Sequence, residues 1–334
     1  MKFCPDPHNF GRRVQIYECD GTRVFSKPRT VFWEWLLFGS DSVLRGSLEQ
    51  VISRNRLSHG SGQSSFADVI FGLDIKKLES NSGFVVGVNL RVASPGSFEK
   101  DFSSFGVILA YCYVFGIQDL HFENILLSEK RPQVVDAEVV FSKLLLPNET
   151  LLLPLKASTY PICGMSSVCG GSGVQLSPDH AVEVIVHFIQ TLLILSQFSQ
   201  EILAQLFKYQ STILQTPVRV ILRDTRKYRD HLNEDFEVPL MREEQLQLER
   251  GDIPYFFKLV GRNELFYCTD KQWSISSVES IHEKFQETVN RAAVNPIELL
   301  DEKRIQITPV RFATLPRERE LRSWRISCDS RKLR

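Results

Sequence analysis

The chain has 334 residues, 40 Lys plus Arg against 40 Asp plus Glu, and 43% hydrophobic residues. That length suits one large domain or two lobes, and a formal charge of zero argues against a dedicated nucleic-acid binder. Seven scattered cysteines, with no CxxC pair, read as thiols of a reducing cytoplasm, and MKFCPDPHNF lacks the apolar core of a signal peptide.

In chain order, the first predicted element is a hairpin. Val14, Ile16 and Val24, Phe25 flank Asp20-Gly21, a dipeptide suited to a tight turn; Arg23, Phe25 and Lys27 then share one face, and Pro28 ends the ladder. A helical pattern covers 31–48, SHGSGQSS at 58–65 reads as a loop or lobe junction, and 68–73 and 83–92 read as short strands. The nearly all-apolar stretch 105–115 predicts a buried helix stopped at Gly116. A second hairpin follows, with apolar runs 125–127 and 134–135 around the polar turn 128–132.

The segment ICGMSSVCGGSG, 162–173, reads as a connection and not a phosphate loop, since it does not join a clear strand to a clear helix. Ser177-Pro178-Asp179 opens a long helix, with serine as cap and proline at the first helical position. Its most apolar part, 184–198, is interrupted by His187, Gln190 and Gln197 and is too short to span a bilayer, so a buried helix is expected and no membrane span. Beyond it the chain reads as mainly helical and charged, and 317–334 forms a basic tail.

The chemistry concentrates between the apolar helix and the second hairpin, in Asp119, His121, Asn124, Asp136 and Glu138. Phosphoryl transfer needs a carboxylate beside the attacking hydroxyl and oxygen ligands that hold Mg²⁺ against nucleotide phosphates. Protein kinases use an Asp, an Asn five positions later at the start of a hairpin, and a second Asp beyond it. Asp119, Asn124 and Asp136 follow that order, and Lys27 supplies an upstream cation on a strand. Taken singly, a DxH pair is more often structural and a strand lysine is more often solvated; it is the ordered set that points to a phosphotransferase.

On these residues the sequence resembles the dehydratase domain of class II lanthipeptide synthetases (LanM-type). Asp6-Pro7-His8-Asn9 with Gly11-Arg12 looks like that family's opening motif, Ser26-Lys27-Pro28-Arg29 its lysine motif, and Asp119, His121, Asn124, Asp136 and Glu138 its DxHxxN and DxE run. VRVILRDTRKY, with Arg219, Arg223 and Thr225, and GDIPYF at 251–256 match two further segments, so the likeness runs from about residue 6 to about residue 260. It lacks most of the family's upstream segment and the zinc-dependent cyclase, so ring closure by this chain is not expected.

The resemblance implies an α+β, two-lobed, kinase-like fold related to lipid kinases: an N-lobe over 1–100 and a C-lobe over 101–316. It implies ATP and Mg²⁺ as cofactors, and a precursor peptide, with a leader and a Ser/Thr-rich core, as partner and substrate, with ring closure left to a separate cyclase. Phosphorylation of Ser or Thr would be followed by elimination to dehydroalanine or dehydrobutyrine. Lys27 and Arg29 would serve the nucleotide phosphates, Asp119 the hydroxyl with His121 in support, and Asn124, Asp136 and Glu138 the metal. Arg219 and Thr225, helped by Asp6 and His8, would serve elimination. Two alternatives stay open at this point: a kinase that stops at the phosphorylated product, and a catalytically silent kinase-like binding module.

Overall fold

The computed structural model describes residues 6–19, 22–54, 69–78, 83–87, 102–128, 131–155, 162–167, 177–229 and 238–307. It mixes helix and strand, as the α+β expectation requires. The expected junction at 58–65, the boundary near 100, the end of the 83–92 strand and the basic tail lie outside the described residues.

The Asp-Gly hairpin forms β1 (Gln15–Cys19) and β2 (Thr22–Lys27) in a register that pairs Cys19 with Thr22, which leaves a two-residue turn. The ladder ends at Lys27, since Pro28 has no N–H to continue it. The expected single helix over 31–48 is instead two, α1 (Phe32–Phe38) and α2 (Val43–Arg54). Gly39 between them is extended, and the break is filled from outside: Leu73 N donates to Phe38 O and Ser40 N to Leu73 O.

The strand expected at 68–73 is displaced to β3 (Asp74–Leu78). Val69, Ile70, Phe71 and Leu73 are all buried, so this apolar run fills the core instead of alternating between two faces. With β4 (Gly83–Gly87) the first sheet is antiparallel in the order β1-β2-β4-β3.

Every residue of α3 (Phe102–Val114) is buried, and Gly116 beyond it takes a left-handed φ of 60°, as expected of a glycine stop. The second hairpin is β5 (Ile125–Ser128) with β6 (Arg131–Val134). Of the 162–173 connection, Cys163, Met165 and Ser166 are buried, and Phe122 N donates to Ile162 O. That part therefore braces the 119–124 loop.

Ser177 caps α4 (Pro178–Gln197) by accepting from His180 N at 3.3 Å. This helix is long and apolar enough to cross a membrane by length and composition. It is less buried than expected, because it presents one side to α3, with Val184, Thr191, Ile194 and Leu195 covered and Ile185 exposed. The two helices cross closely at Gly106, where a Cβ would meet Val184 O, with His187 Cβ and Phe188 N both at 2.9 Å.

The region beyond α4 is not simply helical. After α5 (Ser199–Lys208) and α6 (Gln210–Gln215) comes a second antiparallel sheet of β7 (Pro217–Val220), β8 (Phe256–Leu259), β9 (Phe266–Cys268) and β10 (Ile275–Ser277). Helices α7 (Thr225–Arg229) and α8 (Arg242–Glu249) lie between β7 and β8 in sequence, and α9 (Glu283–Arg291) and α10 (Pro296–Ile307) follow β10. Buried Lys258 on β8 ties this sheet to α9, donating to Val289 O at 2.7 Å and Ala292 O at 2.8 Å near the helix C-terminus. Trp33 Nε1 on α1 donates to Pro217 O at 2.8 Å and so joins α1 to the second sheet.

Two glycines in helices should respond with opposite sign. Gly106→Ala overpacks the α3/α4 crossing and should destabilise by about 1–3 kcal/mol. Gly46→Ala, exposed on α2 with nothing within 4 Å, should stabilise by about 0.5–1 kcal/mol. Urea denaturation midpoints moving in the same direction for both would refute the close crossing.

Candidate active site

The site lies where β2, α1, the segment after β6, and β7 meet. β2 delivers Lys27 into the interior, 2% exposed, with Nζ 2.8 Å from Glu34 Oε1, 2.8 Å from Val135 O and 2.9 Å from Asp136 Oδ1. Glu34 is the only charged residue of α1 and is fully buried. Burial opposes its charge, but Arg29 and then Lys27 outweigh that and lower its pKa.

Arg29 sits among three carboxylates: its Nη2 pairs with Glu34 Oε1 at 2.6 Å and with Asp136, and its Nε with Glu138 Oε2 at 2.8 Å. Its Nη1 donates to Thr30 O at 2.8 Å. Arg29, expected beside the nucleotide, thus directs its guanidinium to protein groups. Lys27 and then Arg29 outweigh burial at Asp136 and hold its carboxyl well below the usual range.

The loop from Asp119 to Asn124 is pinned by its own bonds. Asn124 Nδ2 donates to Asp119 O at 2.8 Å, Asn124 N to His121 O at 2.9 Å, and Val135 N to Asn124 O at 3.0 Å. The last contact places the start of the hairpin beside its end, which brings Asp136 back to this loop. Asp119 has a left-handed φ of 63°, a conformation that costs a non-glycine residue on the order of 1–3 kcal/mol and often marks a functional position. Among the described residues no Lys or Arg lies within ion-pair distance of its carboxylate, and His121 Nε2 is 4.0 Å from Oδ1. Burial pushes the Asp119 pKa to about 6; His121 and Arg219 lower it, while Glu138 and Asp136 add to the rise.

Glu138 divides its oxygens: Oε1 pairs with Arg219 Nη1, and Oε2 accepts from Arg29 Nε and, at 3.1 Å, from the Tyr255 hydroxyl. Expected among the metal ligands, it instead joins the two arginines. Arg219, in a region expected to be mainly helical, lies on β7 and is buried, its backbone N donating to Glu138 O at 2.8 Å. Its guanidinium carbon is 5.1 Å from the centre of the Tyr255 ring.

The N-terminal segment reaches this cluster from a great distance in sequence. Asp252 Oδ2 and Oδ1 accept from Phe10 N at 2.6 Å and Gly11 N at 2.7 Å, and Ile253 N donates to Pro7 O at 2.8 Å. His8 Nδ1 lies 2.8 Å from Ile253 O, and since a carbonyl only accepts, Nδ1 carries the proton. Burial and then Arg219 lower the His8 pKa, so the neutral ring leaves Nε2 as an acceptor. Asp6 acts on His8 electrostatically.

The expected elimination pair is only half assembled. Thr225 begins α7, and among the described residues no hydrogen bond joins it to Arg219 or Glu138. Arg223 has a structural position: it forks onto buried Glu244 at 2.7 and 3.0 Å and donates to Val238 O and Pro239 O.

Among the described residues no group of three or more His, Cys, Asp or Glu could hold a metal ion. A smaller donor set remains: Asp136 Oδ2 and Asn124 Oδ1 receive no hydrogen bond from the described residues. Mg²⁺ commonly takes one or two protein oxygens and completes its shell with phosphates and water, so this pair fits it.

Sequence reasoning missed Glu34, Asp252 and Tyr255. The signal for Glu34 is a lone acid inside the apolar run FWEWLLF, and GDIPYF was legible as a motif without roles for its residues.

A family model described as a domain of unknown function, DUF4135, matches residues 84–161, the stretch that carries α3, the Asp119 loop, the second hairpin, Asp136 and Glu138. No curated protein matches the chain.

Asp119 makes stability depend on pH in a particular direction. Its folded pKa, about 6, lies above the ordinary 3.8, so the folded state binds the proton more tightly. The resulting penalty is absent below about pH 4, grows as pH rises, and is complete above pH 6. Asp119→Asn should therefore match the parent at pH 4 and exceed it by about 1–2 kcal/mol at pH 8, in chelator. Equal stability at pH 8 would show that Asp119 carries no such burden.

Proposed function

We propose that this chain is an ATP-dependent peptide dehydratase of the LanM lanthipeptide-synthetase type, with a kinase-like fold. The observation that carries the reading is the convergence of two kinds of site. Lys27, Glu34, Asp136 and Asn124 form a nucleotide-and-metal half, Arg219 and His8 an anion-and-proton half, and Asp119 is electrostatically coupled to members of both. The match to the DUF4135 model, a domain associated with LanM-type synthetases, supports it.

In the first step Lys27, whose three ammonium donors are taken up by Glu34, Val135 O and Asp136, supplies positive charge beside the nucleotide phosphates and holds Asp136 in place. Asn124 and Asp136 would hold Mg²⁺, which neutralises charge on those phosphates when bound. Asp119, ionised at neutral pH, accepts the proton of the Ser or Thr hydroxyl as the hydroxyl oxygen bonds to the γ-phosphorus, the bond from that phosphorus to the β,γ-bridging oxygen breaks, and ADP leaves with the bridging oxygen.

In the second step the Cα–H bond of the phosphorylated residue breaks and its proton passes to His8 Nε2. The electron pair forms the Cα=Cβ bond, the Cβ–O bond breaks, and phosphate leaves against Arg219. Arg219 meets Glu138 through Nη1, which leaves its other nitrogens for the departing anion.

A second reading, a kinase without elimination, draws on the lack of a hydrogen bond between Thr225 and Arg219 or Glu138 among the described residues. Intact-mass measurement after incubation with ATP, Mg²⁺ and Ser/Thr-rich peptides separates the two: loss of water marks the dehydratase, a stable phosphate adduct the kinase. Asp136→Ala should lose phosphate transfer by about 10²-fold or more, and His8→Ala, which removes the proton acceptor of the second step, should accumulate phosphopeptide. Equal loss of phosphorylation in both variants would overturn this division of roles. An unchanged peptide in every case, with no nucleotide binding, would refute both enzymatic readings.

A further inference from the structure

The GDIPYF segment has no role in either reaction step above, yet Tyr255 touches three members of the site. Its hydroxyl donates to Glu138 Oε2 at 3.1 Å, its ring carries the Arg219 guanidinium 5.1 Å from the centroid, and the same ring meets the His8 imidazole at 5.4 Å and 58°. Tyr255 is itself fixed, since it is 8% exposed and its backbone N donates to Gln247 Oε1 at 2.9 Å. We propose that Tyr255 is a positioning residue for the anion-binding edge of Arg219, acting through Glu138.

The physical case rests on how Glu138 is shared. Arg29 and Arg219 pull its two oxygens in different directions, and a carboxylate held by two cations alone can rotate toward either. The Tyr255 hydroxyl adds a directional neutral donor to the oxygen that faces Arg29. That third bond sets the carboxylate plane, and the plane sets which guanidinium edge of Arg219 stays open. Burial, then the Glu138 charge, raise the tyrosine pKa well above its ordinary value, so the hydroxyl remains a donor. The ring below Arg219 blocks a swing out of that plane through a cation–π contact.

The inference rests on the proposed role of Arg219 and is tested with inorganic phosphate as the probe, in calorimetric titrations of the full chain at pH 7. The parent should bind phosphate, and Arg219→Gln should abolish that binding. Tyr255→Phe keeps the ring and the volume; it should bind phosphate about fivefold to tenfold more weakly, the scale of one net intramolecular hydrogen bond. Its affinity for a Mg²⁺ complex of a non-hydrolysable ATP analogue should stay within about twofold, because Lys27, Glu34 and Asp136 do not depend on the tyrosine. A general loss of structure would weaken both ligands together, and that result overturns the positioning role, as does a Tyr255→Phe variant with parental phosphate affinity. A parent that binds no phosphate instead removes the anion role of Arg219, and this inference falls with it.

Discussion

Seven ionisable groups share one water-poor junction: Lys27, Arg29 and Arg219 against Glu34, Asp136, Glu138 and Asp119. Taking an ion out of water costs several kcal/mol even after relaxation, and only well-placed partners offset it. These groups come from five stretches of the chain, at 27–29, 34, 119, 136–138 and 219, so no element here can move alone without stranding a charge. Glu34 requires α1 beside β2, Asp136 requires the hairpin to fold back on the Asp119 loop, and Arg219 requires β7 to run next to Glu138. Apolar packing at the same junction agrees with the ion pairs: Trp33, the neighbour of Glu34, sits edge-on to Phe141 at 5.3 Å while its indole N–H holds Pro217.

The network is unevenly satisfied, and the unevenness separates structural from chemical roles. Arg29 and Glu138 are saturated by protein partners, which suits them to holding other groups in place. Among the described residues Asp119 has no ion pair with Lys or Arg, and it combines a left-handed backbone angle with a pKa pushed up to about 6 by burial, so it bears a stability penalty. Asp136 lies between these cases, with one oxygen committed to Lys27 and Arg29 and the other open.

Local patterns made part of this legible in the sequence. The two hairpins, the glycine stop at Gly116 and the Ser-Pro-Asp helix start each rest on chemistry within a few residues, and each is present. What escaped depended on partners far away in the chain. Nothing local in VRVI separates a strand that buries Arg219 from a basic helix face; the difference is made by Glu138, 81 residues earlier. The run 69–73 has no alternation to betray that it fills a core, and the 31–48 pattern continues through Gly39 because the strand-like bridge that breaks it comes from Leu73. Among site residues, the motif-bearing acids were visible as types. Glu34 and Tyr255 were not, since a glutamate in an apolar helix and a tyrosine after Ile-Pro acquire meaning only from what they touch.

The N-terminal segment shows how such long-range dependence can serve chemistry. Residues 8–12 form a tight turn closed by two backbone bonds between His8 and Arg12, and Asn9, Phe10 and Gly11 within it all have positive φ. The Asp252 carboxylate stabilises this turn from outside by accepting from two successive N–H groups, and Arg250 covers Phe10 at 3.9 Å. His8 is therefore placed both by its own turn and by the segment that leads into β8. Arg219 lies on β7, which pairs with β8, and Glu138 links it through Arg29 and Asp136 to Lys27. The proposed proton acceptor and anion holder are thus tied to β8 and its lead-in, while the Arg29–Glu138 pair ties them to the Lys27 half. The proposed two reaction steps at one substrate oxygen would require that condition: the group that is phosphorylated and the group that later departs would occupy the same place, so the residues serving each would have to be held at fixed distances from a common point.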